Sequence, residues 1–222
     1  INTMQRRLKD HLSEREHLAA ALAHDLRTPL TRMKIRCELS KSATVQLVRQ
    51  DIREIERIVN SVLEFSRAET ASGPRDKVDL SSMVQDICDN YPEAVYRNLP
   101  ADRARAAVVR ANATFLNRAV TNLVENAVRH GGGARVSIEP ADGWVTISVE
   151  DNGKGIPPEE IENVVKPFYR VEGSRNKDTG GTGLGLAITD SVARSHGGRL
   201  ELANRPEGGL RASIVLPMLA EG

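Results

Sequence analysis

Four clusters of residues in this chain combine side-chain types and spacings that could do chemistry. The first is ALAHDLRTPLTR, residues 21–32. On a helix turning about 100° per residue, His24 stands about 160–200° from Leu22 and Leu26, so it faces away from their apolar seam. Arg27, Thr28 and Thr31 follow it at i+3, i+4 and i+7 and share its face, and Asp25 is the adjacent carboxylate. An exposed imidazole has a large neutral fraction at neutral pH and can act as a nucleophile beside a carboxylate. The plain alternative is a surface histidine, since i+1 neighbours do not share a helix face and Asp25 reaches the ring only through a particular rotamer.

The second cluster, NRAVTNLVENAVRHGGG at residues 117–133, places Asn122 and Asn126 one turn apart beside the stripe Leu116, Ala119, Val120, Leu123 and Ala127, with Glu125 on the opposite side. Asn carbonyl oxygens are hard ligands that suit Mg²⁺, which completes its shell with water and phosphate oxygens. Boundary asparagines with satisfied amides are the structural alternative. The third, EDNGKGIP at residues 150–157, offers the Asp151 carboxylate as acceptor for an exocyclic amino group. Gly153 and Gly155 would let backbone approach a flat ring, and a plain D-N-G turn is the alternative. The fourth, GGTGLGLAI at residues 180–188, sets glycines at a helix start, where free N–H groups and the helix dipole favour an anion. It matches neither the G-x-x-x-x-G-K-[ST] nor the G-x-G-x-x-G register.

The elements that must hold these clusters follow from periodicity. Val45, Val48, Ile52, Ile55, Val59 and Val62 step by 3, 4, 3, 4, 3, a heptad stripe that predicts a helix packed along another helix. Leu8, Leu12, Ala19, Leu22, Leu26, Leu30, Met33 and Cys37 form a similar seam with an extra step of 4 across Pro29, where a kink is expected. The two helices make an antiparallel hairpin whose faces are covered by dimerisation into a four-helix bundle. ASGPRDK at residues 71–77 is the expected linker. Beyond it the pattern predicts a helix from about Asp79 to Tyr91, a strand over about 104–110, and a helix capped by Asn112 and running to His130. A hairpin is expected over 135–139 and 144–150 around Asp142-Gly143, and an irregular stretch over 152–182 with at most a short helix after Pro157-Pro158. A helix over about 184–195 and strands over 199–203 and 210–216 complete an α+β sandwich without regular βαβ alternation.

Composition narrows the classes further. The 222 residues are 40% hydrophobic, enough for one large domain or two modest ones. The net charge of +1 supplies no global field toward nucleic acid or an anionic membrane surface, so any phosphate site is local. The two cysteines, Cys37 and Cys88, lack metal-ligand spacing and read as buried free thiols. The longest apolar run, Leu18 to Ala23, falls far short of a membrane span.

Taken in order, HDLRTPL, NLVENA, DNGKGIP, the FYR of residues 168–170 and GGTGLGLAI resemble the H, N, G1, F and G2 boxes of the sensor histidine kinases of two-component systems. The wording of the first box is that of the EnvZ/CpxA-like envelope and osmosensing group. The resemblance implies the end of a HAMP-like relay helix at residues 1–12 and a dimerisation and histidine phosphotransfer domain at 13–70. A Bergerat (GHKL) ATP-binding domain would follow the linker, at 78–222. It implies that His24 attacks the γ-phosphorus of ATP with Asp25 orienting the ring, and that Asn122 and Asn126 belong to the nucleotide site, with Asn126 the Mg²⁺ ligand. Asp151 would read the adenine amino group while Gly153 and Gly155 shape the base pocket. Gly181, Thr182, Gly183, Leu184 and Gly185 would hold the phosphates, and Phe168 and Arg170 would anchor a lid. Arg129 and His130 fall where the family has a basic and then an aromatic residue, so His130 departs from the pattern. Thr28 matches the H-D-x-x-T pattern linked to dephosphorylating a response regulator, which implies a bifunctional kinase and phosphatase. The partners implied are that regulator and a second copy of the chain, with no direct nucleic acid. The parent implied is a bacterial inner-membrane protein of which this is a cytoplasmic portion. Two rival readings are a GHKL ATPase that drives conformational change, which has no use for HDLRTP on a paired helix, and a non-catalytic dimeric relay, against which the intact G2 glycines argue.

Overall fold

The computed structural model describes residues 30–31, 33–35, 37, 43–70, 73–97, 107–171 and 182–219. His24, Asp25, Thr28, the kink expected at Pro29, and Gly181 lie outside these described residues. The chain divides into two compact units, Ile1–Thr70 and Ala71–Gly222.

In the first unit residues 30–31, 33–35 and 37 are helical, and α1 spans Ala43–Thr70. Lys34 Nζ lies 3.7 Å from Glu56 Oε2, and an Arg49 guanidinium N–H donates to the Cys37 carbonyl at 2.6 Å. Pairing 34 with 56 and 37 with 49 means that the two helical stretches run antiparallel, as the seams require. Within the heptad stripe Ile52 and Val59 are buried, Val45 and Val62 half-buried, and Val48 and Ile55 exposed. Met33, Ile35 and Ile58 are exposed as well.

The second unit runs β1 (Asp76–Asp79), α2 (Leu80–Asp89), β2 (Ala94–Arg97), β3 (Val108–Ala111), α3 (Ala113–Gly131), β4 (Ala134–Ala141), β5 (Trp144–Glu150), a 3₁₀ turn (Pro158–Glu160), α4 (Gly185–Ser195), β6 (Arg199–Asn204) and β7 (Leu210–Pro217). Strand order β2-β4-β5-β7-β6 makes a five-stranded sheet, parallel only at β2–β4, while β1 and β3 form a separate antiparallel pair. The register sorts the two faces. Val136, Val149, Ala212 and Leu202 align in one row and Ile138, Ile147, Ile214 and Leu200 in the next, giving the apolar face that the helices cover. Arg135, Glu150 and Arg211 align on the other face and pair there, Arg211 with Glu150 at 2.6 Å and Arg135 with Glu150 at 3.9 Å. The result is a two-layer α+β sandwich, the fold class expected.

Local signals account for most element ends. The Asp79 side chain accepts from the N–H groups of Ser81 and Ser82 at the start of α2, and that of Asn112 accepts from Phe115 N–H at the start of α3. Asp142 and Gly143, with φ of 51° and 79°, form the primed two-residue turn joining β4 to β5. Three findings differ from the sequence pattern. β1 begins at Asp76, inside the stretch expected as linker, because two polar residues can pair with β3 at an exposed edge without any alternation signal. β2 is absent from the sequence reading: its four residues, AVYR, are too short to show a period. The strand expected over 104–110 is described as Val108–Ala111.

His196, at the end of α4, carries no local signal of its role. It is buried, its Nδ1 lies 2.7 Å from the Val192 carbonyl, and its Nε2 accepts from Asn112 N–H at 3.0 Å. Those two contacts require a neutral ring with the proton on Nδ1. Burial holds its pKa below the ordinary histidine value, the Val192 carbonyl opposes this, and the charge of Arg75 reinforces it. The unfolded chain therefore binds this proton more readily, so folding stability is complete above the unfolded value of about 6.5 and falls as the pH drops below it. The denaturation midpoint is expected to decline from about pH 7 to about pH 5, with a shallower decline in His196→Gln. Equal slopes for the two proteins would contradict the assignment.

Candidate functional site

Three segments of the second unit converge: the C-terminal half of α3, the loop leaving β5, and the approach to α4. Asn122 is buried, and its Nδ2 donates to the Gly185 carbonyl at 3.3 Å. Thr189 Oγ1 lies 2.9 Å from the same carbonyl. Asn122 thus ties α3 to the first residue of α4, using its amide structurally. Asn126, one turn on, is half-buried, and a Cβ placed on Gly185 would lie 3.7 Å from its Nδ2. Both asparagines therefore meet the glycine segment, with Asn126 the more open of the two. Glu125 points elsewhere and accepts from the Tyr91 hydroxyl at 2.9 Å; burial and then this carboxylate push the phenol up to about 12.

Asp151 directly follows β5 and is buried, and its Oδ1 accepts from Gly153 N–H at 2.7 Å and Leu210 N–H at 3.1 Å. Both bonds fall on Oδ1; among the described residues none falls on Oδ2. Gly153 has no room for a side chain, since a Cβ would stand 2.7 Å from the His130 carbonyl oxygen. Gly155 has φ of +71° and faces Asn204. The residue missed by sequence reasoning is Gly131: a Cβ there would lie 2.4 Å from Asp151 Cβ, so this glycine lets the end of α3 abut the carboxylate. Its signal was the run Gly131-Gly132-Gly133, of which only the helix-ending role, filled by Gly132 at φ 71°, is local.

His130 is exposed at the end of α3. Reduced solvent around its ring, then the charge of Arg129, holds its pKa below the ordinary value, against the opposing pull of Asp151 and with Arg170 adding to the lowering. Protonation of the ring is therefore disfavoured, with Arg129 and Arg170 among the charges that act on it. Phe168 is exposed, with φ of 64°, and its N–H donates to the Gly183 carbonyl at 3.0 Å. Gly183, at φ 71°, packs so closely that a Cβ would stand 2.9 Å from the Phe168 carbonyl carbon. The expected lid anchor and the glycine segment are thus joined at this point. Tyr169 hydrogen-bonds Glu160 on the 3₁₀ turn. Thr182 Oγ1 accepts from Leu184 N–H at 3.4 Å, and Leu184 is buried at the cap of α4. These two residues thus shape the turn that presents the first N–H groups of α4, which lack helical partners and suit an anion.

Among the described residues no group of three or more His, Cys, Asp and Glu could hold a metal. A cation near Asn126 would draw most of its ligands from elsewhere, which fits Mg²⁺ carried by a polyphosphate better than a metal in a protein cage.

Residues 14–71 match the family described as the His Kinase A (phospho-acceptor) domain, and residues 111–220 match the Histidine kinase-, DNA gyrase B-, and HSP90-like ATPase. Sensor histidine kinase GtrS of Pseudomonas aeruginosa is 35% identical over 99% of this chain and 45% of the relative. The chain belongs to the sensor histidine kinases. Sensor histidine kinase CpxA of Escherichia coli is 29% identical over 98% of this chain and 50% of the relative. The solved kinase domain of the E. coli osmosensor EnvZ is 31% identical with a TM-score of 0.52, covering 68% of this chain and 93% of that one. The chain spans about half the length of the curated relatives it matches. The chain therefore joins a phospho-acceptor domain to a GHKL-type ATPase domain.

Gly131 provides a direct test of the packing around Asp151. Alanine at a helix end ordinarily gains up to about 1 kcal/mol over glycine. Here the clash with Asp151 outweighs that gain, and Gly131→Ala is expected to lose about 1–3 kcal/mol in denaturant unfolding. A stabilised variant would show that the carboxylate gives way freely.

Proposed function

We propose that this chain transfers the γ-phosphoryl group of ATP to His24 and passes it to an aspartate of a response regulator. The observation that carries the reading is the buried, backbone-held Asp151 carboxylate packed against the Gly131 end of α3, the helix whose Asn126 meets Gly185 at the start of α4. One helix thus links an acceptor for an exocyclic amino group, a hard oxygen ligand and a helix start suited to phosphate. In the first step the neutral imidazole of His24 attacks the γ-phosphorus, a P–N bond forms, the bond to the bridging oxygen breaks and ADP leaves. Asp25 accepts the ring proton. In the second step the P–N bond breaks as the regulator's carboxylate takes the phosphoryl group, and the imidazole is regenerated. Such transfer needs positioning and charge neutralisation more than covalent help from protein.

Asn126 is the residue of this chain that would hold Mg²⁺, and the ion would neutralise phosphate charge. Arg129 and Arg170 add fixed positive charge, Gly153 and Gly155 border the base, and the glycine segment 181–185 is assigned to the phosphates. His130, whose protonation is disfavoured, adds bulk rather than charge. The domain limits that serve this reading are a relay helix end at 1–12, the phosphotransfer domain at 13–70, a linker at 71–77 and the ATP-binding domain at 78–222. Exposed Val48, Ile55 and Ile58 on α1, with Met33 and Ile35, support pairing with a second copy into a four-helix bundle. Among the described residues no helix is long and apolar enough to cross a membrane, so insertion of the parent protein would depend on other segments.

Incubation with γ-labelled ATP and Mg²⁺ is expected to give acid-labile, base-stable label that His24→Gln abolishes; label surviving in that variant would refute the phosphoacceptor. Thr28, whose hydroxyl could position a water one turn from His24, is assigned the regulator phosphatase activity. Thr28→Ala is expected to slow regulator dephosphorylation about ten-fold or more while autophosphorylation persists, and undiminished dephosphorylation would refute the role.

A further inference from the structure

The loop that carries Asp151 has no regular secondary structure from Asp151 to Pro157, yet a carboxylate that reads one amino group must be held to within a fraction of an ångström. The turn between β6 and β7, residues 204–210, supplies that restraint. Asn204 grips the far end of the loop with both ends of its amide: Oδ1 accepts from Ile156 N–H at 2.9 Å and Nδ2 donates to the Ile156 carbonyl at 2.6 Å. Arg205 grips the near end. One guanidinium nitrogen donates to the Asp151 carbonyl at 2.7 Å and to Asn152 Oδ1 at 3.1 Å, and it lies 3.4 Å from the Gly208 carbonyl. Its Nε stands 3.5 Å from Glu150 Oε2. Between the two, Leu210 N–H donates to Asp151 Oδ1, the Leu210 carbonyl accepts from Asp151 N–H at 3.0 Å, and Gly209 lies so close that a Cβ would stand 2.0 Å from the Asp151 carbonyl oxygen.

The Arg205 side chain is only 9% exposed. A guanidinium removed from water to that extent is tolerated only when its donors are satisfied, and here they are satisfied mainly by the backbone and side-chain oxygens of the site loop and by the strand residue preceding it. We propose that Arg205 and Asn204 are positioning residues for base recognition: they fix the peptide on each side of Asp151 and the loop beyond it, so that the carboxylate discriminates adenine by its amino group. Neither residue touches the nucleotide; both act through Asp151. The proposal rests on the reading of Asp151 as the base acceptor, and the test separates the two.

Dissociation constants of the full chain for ATP and for inosine triphosphate, which carries a carbonyl oxygen in place of the amino group, are measured with Mg²⁺ by calorimetric titration. Unaltered protein is expected to prefer ATP by about ten-fold or more, because a buried acceptor left unpaired is costly. Asp151→Asn, Arg205→Met and Asn204→Ala are each expected to reduce the preference to about three-fold or less, and Arg205→Lys, with a donor for the Asp151 carbonyl, to an intermediate value. If Arg205→Met fails to fold, Asn204→Ala, which strands no buried charge, decides. Retention of the full preference in folded Arg205→Met or Asn204→Ala, even with both affinities weakened equally, would overturn the proposal. A preference absent in the unaltered protein, or unaffected by Asp151→Asn, would instead overturn the base-reading role itself.

Discussion

A single buried carboxylate organises the second unit. Asp151 sits where β5 ends, and its charge is met by the N–H groups of Gly153 and Leu210, which both bond the same oxygen. Burying a carboxylate is costly unless it is hydrogen-bonded, and the two backbone donors meet that need. The consequence is geometric. Meeting one oxygen with two fixed donors defines the orientation of the other, and the surrounding chain must come close: Gly131 from α3, Gly153 from the loop itself and Gly209 from the neighbouring turn each lack the side chain that would obstruct it.

From that point the rest of the site follows by short connections. α3 runs back from Gly131 through Asn126 to Asn122, whose amide reaches Gly185 and so fixes where α4 begins. The Gly183 carbonyl, just before α4, accepts from the Phe168 N–H. The candidate site is therefore built from non-adjacent stretches whose spacing is set by the end of one central strand and two helices. Under the proposed function the helical unit answers a different requirement, the presentation of a nucleophile on a paired coil. Its partly exposed heptad stripe shows how much apolar surface the hairpin leaves uncovered.

What could be read in advance was what local physics determines. The helix over 45–62, the Asn112 cap, the Asp142-Gly143 hairpin and the last two strands rest on period, capping chemistry and turn chemistry, each contained in a few adjacent residues. The residue types of the site were legible for the same reason: carboxylate, amides and glycines announce their chemistry by type. Contacts between distant segments were not. Arg205 looks like any surface arginine in a polar turn, and only the β5–β7 pairing brings it to Asp151. His196 reads as a helix-end histidine until the fold places it against the Asn112 backbone. The short strands β1 and β2 were hidden because four residues cannot display a period, and their pairing is decided by neighbours 29 or more positions away.

The most direct test of the Asp151-centred site is a titration of isotope-labelled chain with ATP and Mg²⁺, followed by amide resonances. Saturable shifts are expected at Gly153, Gly155, Leu210 and the start of α4, together with side-chain shifts at Asn126, and all should vanish in Asp151→Asn. Nucleotide binding that leaves the Gly153 and Leu210 amides unperturbed, or that survives Asp151→Asn at full strength, would contradict the account.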